Sequence, residues 1–345
     1  MQRIKPLDLA RGFTVLMIAP IHTVMLYSKL EIRNTLLVNF LAFIAEWHGA
    51  QIFMLLMGIS FTFSKKNSFK PLLERATFIL GAAYALNIFK FVIPHLFGWL
   101  PQTLLSELQI QNGSYGYLQL FLIGDILHFA SIALIVLFIV HRLKNYQWIA
   151  LAVAFIVCIA SPFIWDIHCR YFLVDYFFQL IGGQSPHVFF PLFPWLVYPL
   201  IGLTIGYWFQ KAKHQKVFWL LRDIGWLMII ISLIIKYFLK ENELSIFYRT
   251  NPFDTTLHIG VVFVALSIWD WISINVKQNH FFRLLTYLSE HITQVYIIQW
   301  VIICWLLPIF GYQTLSFIPS VFCILLTTFL TLTISFFINV RMKKG

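Results

Sequence analysis

Residues 7–22 read LDLARGFTVLMIAPIH, from Leu7 to His22. This is the start of a membrane helix, yet it carries Asp8 and Arg11 at one end and His22 well inside. Charges and imidazoles are costly in hydrocarbon, so a spanning segment that keeps them turns them toward other helices or toward water. At 100° per residue, Asp8, Arg11, Val15, Ile18 and His22 fall on one stripe, spaced by three and four. His22 lies about 16 Å beyond Arg11 along the axis, at 1.5 Å rise per residue. Asp8 and Arg11, at i and i+3, can pair at the mouth of that stripe. The plainer reading makes Asp8 a helix cap and Arg11 an interfacial anchor. His22 has no such anchoring use and needs a partner.

The rest of the chain agrees with a membrane setting. Of its 345 residues 60% are hydrophobic and 11% charged, with a mean hydropathy of +0.80. A soluble domain carries roughly a quarter charged residues. The expected fold class is therefore an all-α polytopic membrane protein. Apolar runs near 9–27, 40–64, 76–94, 117–140, 148–165, 189–209, 217–239, 257–276, 287–308 and 315–339 predict about ten spans, each needing roughly 20 residues. The second run is interrupted by Glu46-Trp47-His48-Gly49. It reads either as a broken helix or as a short interfacial piece followed by a span. The first run lacks a following small-residue cleavage site and is expected to be retained. Residues 1–345 read as one transmembrane domain, without a repeat of fixed period or a soluble insertion.

The net charge of +11 fits topology better than nucleic-acid binding. With the N-terminus in the cytoplasm, the inner segments hold Arg3, Lys5 and Arg11; Lys65, Lys66, Lys70 and Arg75; Arg142 and Lys144. They also hold Lys211, Lys213, Lys216 and Arg222; Lys277 and Arg283; Arg341, Lys343 and Lys344. Lys29, Arg33, Lys90, Arg170, Lys236, Lys240 and Arg249 are left for the outer side or span ends. That alternation is what the positive-inside rule demands, and it predicts both termini inside. Cys158, Cys169, Cys304 and Cys323 show neither metal-ligand spacing nor a disulfide framework, and no metal is expected.

Several other polar groups stand out. His128 follows Asp125 at i+3 inside the fourth run, where a carboxylate must be paired or protonated; both are candidate partners of His22. Glu46 and His48 form a compact polar group where the second run breaks. They line a polar site or relay protons, or else belong to an interfacial loop. Glu290 and His291 open the ninth run from the inner side. Asp270 reads as an interfacial group. The segment FPLFPWLVYP holds Pro191, Pro194 and Pro199, which break the backbone ladder and suit a bent helix beside a cavity. Trp195 within it is either a core residue or an aromatic face for a ligand.

The spacing Leu-Asp-x-x-Arg-Gly followed, nine residues on, by His resembles the opening of acyltransferase family 3 and of bacterial relatives of heparan-α-glucosaminide N-acetyltransferase. Five further stretches resemble the second group in order. They are EWHGAQIFMLLMGISFTFS (Glu46–Ser64), ERATFILGAAYALN (Glu74–Asn87), GDILHFASIALIVLFI (Gly124–Ile139), FFPLFPWLVYPLIGLTIG (Phe189–Gly206) and LTYLSEHITQVYIIQW (Leu285–Trp300). The closing span departs from family 3, with Gln299 where a histidine is usual. Ile44 stands where heparan-α-glucosaminide N-acetyltransferase itself has a histidine, and His48 is the nearest one.

The resemblance implies an acetyltransferase of the bacterial inner membrane. It would take acetyl-CoA from the cytoplasm and move the acetyl group to an amino or hydroxyl group of a glycan at the outer face. His22 would be the general base, an imidazole suiting that task near neutral pH, with Asp125 and His128 as further catalytic candidates. The phosphates of coenzyme A need inner cations; Arg11, Arg75 and Lys66, with Glu290 and His291, are candidates for that contact. Glu46, His48 and Trp195 are candidates for the acceptor, and Asp8 for the mouth. The expected partners are acetyl-CoA, the glycan and the lipid bilayer; a second copy of the chain remains open. A proton-coupled transporter, or a non-catalytic member of the same fold, is the rival reading.

Overall fold

The computed structural model describes residues 4–64, 68–240 and 246–342, except for the side chains of Arg33, Glu46, Trp47 and Met342. In chain order the helices are α1 (Lys5–Tyr27), α2 (Leu36–Ile44), α3 (Ala50–Thr62), α4 (Phe69–Asn87), α5 (Ile93–Leu96), α6 (Gln102–Glu107), α7 (Ser114–Leu122), α8 (Ile126–His141) and α9 (Tyr146–Ile164). They continue as α10 (Phe172–Gly182), α11 (Leu192–Trp195), α12 (Val197–Lys211), α13 (His214–Leu239), α14 (Pro252–Asn275), α15 (His280–Glu290), α16 (Ile292–Trp305), α17 (Leu307–Phe310) and α18 (Phe317–Met342). Among the described residues, β-pairing is confined to two isolated bridges, Ser28 with Leu315 and Gly124 with Val188.

Each of the ten predicted runs is helical, but only some are carried by one long helix. Among the described residues, 7 helical segments are long and apolar enough to cross a membrane: Lys5–Tyr27, Phe69–Leu96, Tyr146–Ile164, Leu192–Lys211, His214–Leu239, Pro252–Asn275 and Phe317–Arg341. The remaining runs are interrupted, and each interruption falls on polar residues. The second run passes from α2 to α3 through a π-helical turn, Ala45–Gly49, which contains Glu46 and His48. The fourth breaks between α7 and α8 at Asp125, whose backbone is extended (φ −127°, ψ 176°). The ninth breaks at His291 (φ −116°, ψ 26°), between α15 and α16. A second π turn, Ile88–Val92, follows α4 and carries Lys90. Non-helical or π-helical backbone at membrane depth is tolerated only where protein or water satisfies it.

Contacts divide the chain into two compact units. The first comprises Met1–Leu7, Ala50–Ala83 and Ile123–Val276; the second comprises Asp8–Gly49, Tyr84–Leu122 and Lys277–Gly345.

In the first unit, α3 packs on α12 through glycines. A Cβ built on Gly58 would stand 2.0 Å from the Pro199 carbonyl oxygen, and one on Gly202 2.1 Å from that of Leu55. Gly202 and Gly206 are spaced as GxxxG, the pattern that lets two backbones meet in a bilayer. Gly225 on α13 and Gly260 on α14 face each other in the same way. The start of α14 is specified locally: the Asn251 side chain accepts from the Asp254 N–H at 2.8 Å, and Pro252 occupies the first turn. Beyond the spans, Arg249 ties the loops, donating to Asp166 at 2.8 Å, Gln184 at 3.2 Å and the carbonyls of Gly182 and Gly183 at 2.6 and 3.0 Å.

In the second unit α1 is clamped by polar contacts. Tyr27 donates to the Ile303 carbonyl at 2.6 Å, Thr23 bonds Thr327 at 2.7 Å, and Ser28 bonds Ser320 at 2.8 Å. At its other end Gly12 permits α15 to approach; a Cβ there would lie 1.9 Å from the Leu285 carbonyl oxygen. The π turn beside α4 packs on α16, and Trp305 donates to the Phe89 carbonyl at 2.8 Å. These contacts fix the placement of the first helix, and with it His22.

Candidate functional site

The second unit gathers most of the singled-out side chains along α1. At one end Arg11 Nη1 lies 3.8 Å from Asp8 Oδ1, one helical turn apart, with both side chains about one-fifth exposed. Asp8 also accepts from Ser289 at 3.1 Å. Ser289 belongs to the last turn of α15, held against α1 by the Gly12 contact. The next residues are Glu290, which is exposed, and His291, which donates from Nδ1 to the Tyr287 carbonyl at 2.8 Å and stacks on that ring.

Three turns further along α1 is a denser cluster. His22 Nδ1 lies 3.2 Å from Oε1 of Gln299, which is fully buried on α16. The Gln299 amide N–H donates in turn to the Tyr296 carbonyl at 3.2 Å. The imidazole is stacked on the Trp300 indole, with centroids 4.0 Å apart and planes at 29°. The ammonium of Lys90, 1% exposed, lies 4.4 Å from the same indole and 4.5 Å from the ring of Phe91. Pro20 withdraws one N–H from the α1 ladder two residues before His22. The indole N–H of Trp300 is buried and has no hydrogen-bond partner among the described residues. An imidazole, a buried cation and an unspent donor therefore converge on one indole.

His48 sits in its π turn, edge-on to Phe13 of α1 with ring centroids 6.2 Å apart. It is 9% exposed, and its Nδ1 is buried without a hydrogen-bond partner among the described residues. The Glu46 side chain lies outside the described residues, as does Lys66.

Asp125, His128, Arg75 and Trp195 belong to the first unit. Asp125 caps α8 by accepting from the Ile126 N–H at 2.7 Å, while its own N–H donates to Nδ1 of His128 at 3.1 Å. The pair thus forms a capping box with histidine in the reciprocal position. The break it terminates is held by the bridge to Val188, with Gly124 N–H donating to the His187 carbonyl at 2.8 Å. Arg75 is exposed on α4. Trp195 is 1% exposed, donates to the Tyr248 carbonyl at 3.0 Å, and packs against Phe190, Tyr198 and Phe247. Asp270 lines a cleft of about 270 Å³ with Lys5, His214 and Gln215, just under the roughly 300–1,000 Å³ of small-molecule sites.

Two members of the His22 cluster escaped the sequence reading. Lys90 is among the residues left for the outer side or span ends, although its setting NIFKFVIP is apolar on both sides. An ammonium there demands a partner, and that was the available signal. Trp300 carries no signal, being one of 12 tryptophans in a membrane chain, where interfacial belts make the residue common.

No curated protein and no solved structure matches the chain. Residues 3–240 match the family described as heparan-alpha-glucosaminide N-acetyltransferase, catalytic. That match includes His22, Lys90 and the Asp125–His128 cap, and it ends before α14, so Gln299 and Trp300 lie beyond it. A match over more than half of a 345-residue chain built from long apolar helices identifies it: the protein belongs to the heparan-alpha-glucosaminide N-acetyltransferase catalytic family, and is an integral membrane acetyltransferase.

Proposed function

We propose that the protein takes acetyl-CoA from the cytoplasm and transfers the acetyl group to an amino or hydroxyl group of a glycan at the outer face of a bacterial inner membrane. His22 is the general base. The observation that carries this reading is the polar track on α1, from Asp8, Arg11 and Ser289 to His22, Gln299, Trp300 and Lys90. Acyl transfer to a hydroxyl or amine needs a group to take the acceptor's proton and donors for the developing oxyanion. The cluster around His22 supplies an imidazole, an indole N–H and an ammonium. Arg11 and Arg75, with Lys66, Glu290 and His291, serve the inner end where the nucleotide of coenzyme A enters. Glu46 and His48 serve the acceptor; Trp195, buried with its N–H spent on the Tyr248 carbonyl, is instead a core residue. Asp125 and His128 contribute through the α8 cap, which holds the fourth crossing open. In this reading the chain crosses ten times, the interrupted helices completing three of the crossings; an even count keeps both termini on one side, and the basic inner segments favour the cytoplasm.

The decisive experiment is transfer by the purified protein in detergent, with labelled acetyl-CoA and a panel of amino sugars and polysaccharides. His22→Ala is expected to lose roughly 10²–10⁴-fold in rate while acetyl-CoA binding, read by calorimetry, changes less than about twofold. Undiminished transfer by His22→Ala overturns the role of His22. Solute flux into liposomes without acetyl-CoA overturns the reaction class.

A further inference from the structure

Gln299 has an orientation that can be read from its partners. A backbone carbonyl only accepts, so the group that meets the Tyr296 oxygen at 3.2 Å is the amide nitrogen. The opposite end, Oε1, therefore faces Nδ1 of His22 at 3.2 Å. An amide oxygen also only accepts, so Nδ1 must carry the hydrogen. Turning the amide over would set its oxygen against the Tyr296 oxygen in a site where Gln299 is fully buried, leaving two acceptors facing each other. Trp300, the next residue, fixes the imidazole plane by stacking on it.

Resting on the reading of His22 as general base, we infer that Gln299 is a positioning residue that holds neutral His22 in the Nδ1–H tautomer, so that Nε2 is the nitrogen that takes the acceptor's proton. As Nε2 accepts that proton, the acceptor's oxygen or nitrogen bonds to the acetyl carbonyl carbon, and the carbonyl π electrons move to oxygen. When the intermediate collapses, the C–S bond breaks. The departing thiolate takes the proton back from the imidazolium, so charge and protons balance. A closing-span glutamine thereby does the orienting task that carboxylates or carbonyls perform for other functional histidines.

The test pairs a spectroscopic reading with kinetics. The full-length protein is labelled with ¹⁵N-histidine, and the His22 signals among the 11 histidines are assigned by difference with His22→Gln. At a pH where the ring is neutral, wild-type Nδ1 is expected at a protonated, pyrrole-type shift and Nε2 at a pyridine-type shift. Gln299→Met keeps length and bulk but removes the acceptor; it is expected to move His22 toward the Nε2–H form. Its kcat is expected to fall roughly 10–100-fold with KM for acetyl-CoA unchanged. Gln299→Glu restores an acceptor and is expected to recover most of that loss. A pyridine-type Nδ1 in the wild-type protein overturns the inference, as does an unchanged kcat in Gln299→Met. The nitrogen shifts are read without turnover, so an inactive preparation refutes the proposed reaction and leaves the tautomer measured. They also decide the matter on the wild-type chain if Gln299→Met does not fold.

Discussion

His22 and His128 use their ring nitrogens in opposite senses. His128 accepts the Asp125 backbone N–H at Nδ1, so its neutral ring carries hydrogen on Nε2 and that nitrogen is a donor. His22 faces an acceptor at Nδ1, which leaves its lone pair on Nε2. Two in-span histidines that look alike in sequence thus separate into a cap and the proposed base. Residue spacing cannot express that difference, because it depends on a carbonyl of α16 and an N–H at the start of α8. The same reasoning bears on Trp300. A buried donor without a partner costs roughly 1–3 kcal/mol, and a substrate oxygen would relieve it. Trp300→Phe keeps an aromatic face for His22 and Lys90 and deletes the N–H. Its kcat is expected to drop by about 10² with little change in acetyl-CoA affinity; single-turnover transfer would measure it, and wild-type turnover would refute the donor role.

The elements show where apolar patterning is a faithful guide and where it fails. Ten runs were legible because hydrocarbon demands long apolar stretches. The interruptions were not, apart from the break at Glu46–Gly49, since a π turn or an extended Asp125 does not alter composition. In each interrupted run the polar residues noticed in sequence are those that sit at the break. The glycine contacts were equally silent in hydropathy. Gly202→Ala is expected to lower stability by about 1–3 kcal/mol, since its Cβ would stand 2.1 Å from the Leu55 oxygen. Gly81→Ala, with nothing within 4 Å of the new Cβ, is expected to stabilise α4 by roughly 0.5–1 kcal/mol. Thermal denaturation of the two variants in one detergent separates packing from helix propensity. The segment between α10 and α11 adds a pH effect. Burial, and next to it the charge of His168, hold the His187 pKa below its ordinary value. The unfolded chain then binds the proton first, so stability falls as pH drops below about 6.5. His187→Gln is expected to flatten that slope in melts between pH 5 and 8.

At the scale of the whole molecule, the surface of the long helices explains the composition. Phe155, Ile156 and Phe163 on α9, and Phe322, Leu325 and Phe329 on α18, are exposed; hydrocarbon is the solvent that makes such a surface favourable. The proposed topology makes a direct prediction. With Cys169, which that topology assigns to an outer loop and which is half-buried, replaced by serine, a cysteine at Asn112 should react with an impermeant maleimide from outside. One at Gln278 should react only after permeabilisation. Reaction of both from the same side would break the ten-span count.

The ion pair between Lys236, near the end of α13, and Asp254, near the start of α14, governs how the chain is made. Each side chain is at least nine-tenths buried, at 10% and 1% exposure. Either charge alone would oppose insertion by up to roughly 2.5–3.5 kcal/mol, and the partners stand 18 residues apart. The ammonium of α13 thus leaves the ribosome before its carboxylate does, so α13 is expected to gain its full stability in the bilayer only when α14 arrives. The pair predicts that these two helices insert as one unit. Asp254→Asn is expected to act before any chemistry, as a fall in the amount of protein that reaches the membrane, visible in a membrane-fraction immunoblot and relieved by Lys236→Met.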